Sequence, residues 1–317
     1  MKLTKQGLIR INFRDFLPHE NKRLRCNFRC SYCNQKNIKQ IKFSEKELLS
    51  SKRIWDKLST VEDDIIVRLN FDGEILIDKW AREIWYHINK LPNVKISEII
   101  TNNSIDPDDY LGLISLPKAS FNCSFHPEFV SLQRFINHAL KLKQKGCPLF
   151  ATMVVLPEMV NELTGIVMGF EDAGILFRPL LLLNTEFYDS KLRNFWKKII
   201  GKSQSSRSYN LYELELIRQH YYSDLEFQFQ KGRKTSGLPC FAGVDMINVF
   251  LDGSVYRCFG AKLGTIDELC DGKIKLREEP YPCFTDTCQC PTHMIFLKDF
   301  RDKYILSDKF ADHYEIN

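Results

Sequence analysis

The chain has 317 residues, 44% hydrophobic and 27% charged, with a net charge of +5. That is the composition of a globular protein with a sizeable core, in one large domain or one domain with an appendage. No run of about 18 apolar residues is present and the start, Met1-Lys-Leu-Thr-Lys-Gln-Gly, lacks an apolar signal core, so no membrane span and a cytoplasmic location are expected. Eleven cysteines, an odd count, point to reduced thiols and metal clusters over disulfides. The short basic runs Lys22-Arg23-Leu24-Arg25 and Lys231-Gly232-Arg233-Lys234 are too sparse for a nucleic-acid footprint.

Leu8–Phe13 alternates as a strand and leads into Cys26-Asn-Phe-Arg-Cys30-Ser-Tyr-Cys33, a C-x3-C-x2-C spacing. Thiolates are the standard ligands of iron–sulfur clusters, and three of them leave one iron of a four-iron cubane open. A zinc knuckle, the other reading, would need a fourth ligand such as His19 or a remote residue. Ser44–Leu58 reads as a helix with a capping box, Ser44 and Glu47. Strands follow at 65–71, 95–100, 119–124, 150–156 and 175–183, and helices at 78–91, 128–145 and 160–173. Six strands with intervening helices imply an α/β protein with parallel pairing, open or curled toward a barrel. Gly201–Tyr209 is a polar loop that either belongs to this core or marks a boundary.

The cysteine spacing, with Tyr32 just before the last cysteine, resembles the signature of the radical S-adenosylmethionine (radical SAM) superfamily. The resemblance implies a partial (β/α)6 TIM-like barrel over residues 1–234. It also implies a [4Fe–4S] cluster on Cys26, Cys30 and Cys33, with S-adenosylmethionine (AdoMet) bound at the open iron. Asn70-Phe-Asp-Gly-Glu-Ile-Leu76 resembles the family's G-G-E-P segment through Gly73 and Glu74, while Asp72 and Ile75 depart from it. A simple Asp-Gly turn is the plainer account. The resemblance further implies AdoMet contacts from Tyr32, Asn102 in Thr101–Ser104, Ser124 and Arg178. Turn chemistry explains Asn102 and Ser124 as well, and an ion pair explains Arg178. His126 is placed as a proton acceptor or a helix cap, and Tyr188 as a further contact.

Cys240-x12-Gly253-x4-Cys258 encloses an Asp252-Gly253 β-hairpin, Met246 to Tyr256, and Cys283-x4-Cys288-x-Cys290 follows. This resembles the SPASM/Twitch extension of radical SAM enzymes, a small cysteine-rich auxiliary-cluster domain over 235–317. The longer form's C-x2-C-x5-C-x3-C block is missing, which implies one auxiliary [4Fe–4S] cluster on Cys240, Cys258 and two of Cys283, Cys288 and Cys290. Zinc remains open for this group. Cys123 and Cys147 read as core thiols, and Cys270 sits in a different context.

The expected activity is oxidation (dehydrogenation) of a small molecule such as a sugar or cyclitol, with peptide or protein side-chain modification as the alternative. The first strand begins near Leu8, which leaves no leader-recognition domain before it and favours the small molecule. A flavodoxin- or ferredoxin-type electron donor is implied, and the basic residues before Cys26 suit it. A non-enzymatic electron carrier would not need the Gly-Glu segment. A zinc-bearing RNA-modification factor would show denser basic and aromatic patches.

Overall fold

Alternation in β1 (Leu8–Arg14) sends Ile9, Ile11 and Phe13 into the helix-covered core and Arg10, Asn12 and Arg14 to the opposite face. The computed structural model describes residues 1–16, 20, 22–33, 35, 37–114, 116–182, 209–221, 223–258 and 261–288. His19, Tyr188, Cys290 and residues 201–208 of the polar loop lie outside the described residues. Two short parallel strands, β2 (Lys22–Leu24) and β3 (Lys39–Ile41), flank the cysteine loop.

From β1 the sheet continues in parallel through β4 (Asp64–Leu69), β5 (Val94–Thr101), β6 (Ala119–Ser124), β7 (Leu149–Val155) and β8 (Leu176–Leu181). These are the six strands expected, and among the described residues they form an open α/β sheet of the partial-barrel kind. Helix α1 (Glu45–Leu58) precedes β4, and α2 (Lys79–Lys90), α3 (Leu132–Gln144) and α4 (Leu163–Asp172) follow β4, β6 and β7. The Ser44/Glu47 capping box is formed. Apolar faces do the packing: Phe13 meets Trp55 edge-on at 5.3 Å, and Phe135 meets Phe170 at 5.8 Å.

Two expectations shift. The helix expected from residue 128 starts at Leu132, because Ser131 caps it and His126–Val130 turn back through Phe129 and Val130 N–H bonds to the His126 carbonyl. That turn leaves Glu128 free to face the cysteine loop. Beyond α5 (Leu211–Arg218), α6 (Asp224–Gln230) and β9 (Pro239–Cys240), the hairpin of β10 (Met246–Phe250) and β11 (Ser254–Tyr256) joins the main sheet. β10 pairs in parallel with β1, and β12 (Lys262–Thr265) extends the edge, giving nine strands. The cysteine-rich region is therefore built onto the free edge of the first strand. A short helix α7 (Ile266–Cys270) and a strand β13 (Tyr281–Pro282) complete it.

Candidate functional site

The cysteine loop sits over the C-terminal ends of the central strands, where barrels keep their chemistry. Two strand ends, those of β5 and β6, grip it through side chains. Asn102, after β5, donates from Nδ2 to Asn27 Oδ1 at 2.9 Å, and Asn27 Nδ2 donates to Ser104 Oγ at 2.9 Å. Glu128 accepts from Ser31 N–H at 2.9 Å and Ser31 O–H at 2.8 Å. His126 Nδ1 lies 2.6 Å from the Tyr32 hydroxyl and 3.2 Å from Cys30 Sγ, with the two rings stacked at 11°. Burial pushes His126 down to about 4, so it is neutral near pH 7.

A cavity of about 430 Å³ opens beside the loop. One side carries Cys26, Cys30, Cys33, Tyr32, Arg23 and His126. The other is apolar, with Phe71, Ile100, Val154 and Leu180. Gly73, Glu74, Asn102 and Ser124 also line it, so these expected cofactor residues are brought together with the three cysteines.

Gly73 has φ +132° and faces Leu24, whose carbonyl oxygen lies 2.2 Å from where a Cβ would sit; only glycine fits. Both Glu74 oxygens are already engaged, by Thr101 O–H at 2.8 Å, Leu76 N–H at 3.1 Å and Asn102 N–H at 2.5 Å. The carboxylate thus braces β4 against β5. Burial raises it to about 7, and these hydrogen bonds oppose the rise.

Arg178, for which an ion pair is the other reading, is buried beside Glu226 of α6, 48 residues away, and is not among the residues lining the cavity. Asn27 and Glu128, which do hold the loop, were missed by the sequence reading; both are common surface residue types whose partners are remote in sequence.

The second cysteine group forms around β9 and β13, which pair antiparallel with Cys240 opposite Tyr281. Cys240 and Cys283 are buried in a small satellite core with Phe229, Ala242 and Met246, and Cys258 and Cys288 pack against it. Cys240 and Cys283 share a hydrogen bond that pushes Cys240 up and Cys283 down, as for a pair holding one proton between two sulfurs. Cys123 and Cys147 are buried in the main core, and Cys270 packs against that core, apart from this group.

The donor chemistry fits iron–sulfur ligation at the first group. Its three cysteines are free thiols. Burial, reinforced by the neighbouring Cys33, pushes Cys30 up to about 12, so a bound metal would have to stabilise the thiolate. Among the described residues the buried Arg23 has Nε and Nη2 without partners beside these thiols, donors suited to a sulfur-rich group. Among the described residues no three His, Cys, Asp or Glu side chains close around one point as a single-ion site requires. No helix of the described residues is long and apolar enough to cross a membrane.

No family model and no curated protein matches the chain. Solved structures do match. Native anSMEcpe with bound AdoMet is 14% identical with a TM-score of 0.53, over 84% of this chain and 83% of that one. Native anSMEcpe with bound AdoMet and Kp18Cys peptide is 14% identical with a TM-score of 0.54, over 95% and 87%. Streptococcus suis SuiB bound to precursor peptide SuiA is 12% identical with a TM-score of 0.51, over 79% and 59%. At these identities the likeness shows a shared fold.

Proposed function

We propose that this chain is a radical SAM enzyme, with Cys26, Cys30 and Cys33 holding a [4Fe–4S] cluster and the adjoining cavity receiving AdoMet. One observation carries the reading: three free thiols at the signature spacing line a single cavity on a fold shared with AdoMet-bound structures. When bound, the cluster supplies the electron for reductive cleavage of AdoMet to a 5′-deoxyadenosyl radical, which takes hydrogen from substrate. Tyr32, Gly73, Glu74, Asn102 and Ser124 form the AdoMet wall, and the neutral His126 fixes Tyr32 against the loop.

Cys240, Cys258, Cys283 and Cys288 are the described thiols that would hold an auxiliary [4Fe–4S] cluster in the region 235–317. The exposed Lys22, Arg25 and Arg29 beside the loop suit a flavodoxin- or ferredoxin-type donor with an acidic face. For the substrate, support moves toward a peptide side chain, because fold neighbours are recorded with bound peptides. Oxidation of a sugar or cyclitol is the second reading, favoured by a cavity within the range of small-ligand sites.

Anaerobic iron and sulfide quantitation with EPR tests the reading on wild type and on the Cys26/Cys30/Cys33 triple alanine variant. Two cubanes give about eight irons in wild type and about four in the variant. Wild type alone should show an AdoMet-perturbed signal and release 5′-deoxyadenosine. Zinc in place of iron at the first group, or no AdoMet response, would overturn it.

A further inference from the structure

Arg23 lies in β2, three residues before Cys26, and is only 3% exposed. Four arginines are buried among the described residues, and their surroundings differ. Arg14 lies 3.9 Å from the Asp72 carboxylate, and Arg178 is paired with Glu226. Arg257 donates to the carbonyls of Ala242 and Pro282 and lies over the Tyr281 ring. Arg23 instead reaches a sulfur: Nη1 lies 3.7 Å from Cys33 Sγ. Its Nε and Nη2 are buried without a partner among the described residues.

A guanidinium stays protonated in proteins, and an unpaired buried charge is strongly unfavourable. The Nε–Nη2 edge is also the fork that arginine presents to paired acceptors. The fold therefore holds a cation against a cysteine of the loop and leaves two donors for acceptors that the described residues do not supply. Hydrogen bonds to sulfur and local charge are among the levers that set a cluster's potential.

We propose that Arg23 tunes and positions the cluster of the cysteine loop, donating N–H to the Cys33 sulfur and stabilising the reduced, more negative state with its buried charge. The inference rests on the reading of Cys26, Cys30 and Cys33 as a cluster site. Reduction adds one negative charge next to the guanidinium, and that attraction is strong where water is excluded. Arg23 thus shifts the centre toward a potential its donor can reach. It acts through Cys33.

The test is an EPR-monitored redox titration of reconstituted protein, without AdoMet, following the signal lost in the Cys26/Cys30/Cys33 triple variant. Arg23→Met should keep the iron of that site while the reduced-to-oxidised ratio at a fixed potential falls about tenfold, a drop of about 59 mV for one electron. Arg23→Lys, which keeps the charge but not the fork, should recover at least half of the drop. An unchanged midpoint in Arg23→Met with its iron retained would show that Arg23 only packs β2, and would overturn the proposal. Should Arg23→Met lose the iron, Arg23→Lys and Arg23→Gln decide: a lower midpoint in the neutral glutamine variant supports the charge, and equal midpoints overturn it. Wild type without iron at the three cysteines would instead bring down the functional reading itself.

Discussion

The two cysteine groups are built in opposite ways. The N-terminal loop is held from outside by polar contacts, Asn27 to Asn102 and Ser31 to Glu128, and its thiols face a cavity. The C-terminal group is held from inside, by a satellite core of Phe229, Ala242 and Met246, with Arg257 and Arg277 laid over Tyr281. A loop clamped at its rim keeps an open face, whereas Cys240 and Cys283 are embedded in an apolar core, with Cys258 and Cys288 half-buried at its edge. The first arrangement suits a centre that exchanges a ligand, and the second suits one that only passes electrons.

The largest test of that contrast removes one thiol from each side. Cys30→Ala should abolish AdoMet cleavage and lose about four irons, whereas Cys258→Ala should lose about four irons yet still cleave AdoMet in single turnover. Product analysis for 5′-deoxyadenosine checks both. If Cys258→Ala also stopped cleavage, the two groups would not be functionally separate.

A second test strikes the rim alone. Gly73→Ala adds a Cβ against the Leu24 carbonyl at a φ of +132°, so β2 or the β4–α2 turn must move. The expected loss is about 4 kcal/mol, measured by chemical denaturation of the metal-free protein. A loss below about 1 kcal/mol would show that β2 rests only loosely on this turn.

The contrast was only half legible in the sequence. An apolar alternation at Leu8–Phe13 and apolar, partly β-branched runs announced the six central strands, Ser44 with Glu47 announced α1, and Asp252-Gly253 announced the hairpin. These are local patterns, written within a few residues. The clamps are not local: Ser31 and Glu128 are 97 residues apart, and Arg178 meets Glu226 across 48. The pairing of β10 with β1 spans more than 230 residues and uses an edge that periodicity does not mark as free. Gly73 and Glu74 were found by motif, but the reasons for them, a carbonyl approach and a brace between two strands, appear only in space.

Glu74 gives the rim a pH dependence of its own. Its carboxyl rises from 4.5 to about 7 on folding, chiefly through burial. The folded state therefore holds the proton more tightly than the unfolded one. The associated stability is fully present below about pH 4.5 and is lost as pH rises through 7. At about 1.4 kcal/mol per pH unit the loss is about 3 kcal/mol, an order-of-magnitude figure. Denaturation of the metal-free protein between pH 5 and 8 should show this slope, and Glu74→Gln should flatten it. A slope unchanged in Glu74→Gln would assign the pH dependence to another group, such as Asp15, which burial also lifts to about 7.

The smallest effect is also the one that separates clamping from ligation. Glu128 and Ser31 meet at an exposed position, so water competes for both partners and the bond contributes only about 1 kcal/mol. Glu128→Ala should leave global stability nearly unchanged, since α3 starts beyond it at Leu132. Its effect belongs to the loop: Ser31 lies between Cys30 and Tyr32, and releasing it frees the segment between two thiols. The expected outcome is full iron content after reconstitution but faster loss to a chelator, by a factor of about five for 1 kcal/mol. The same chelator should remove the C-terminal iron at the wild-type rate, because nothing in the satellite core touches Glu128. Equal acceleration at both groups would mean that the rim clamps and the satellite core open together, through the β1–β10 pairing that joins them in one sheet.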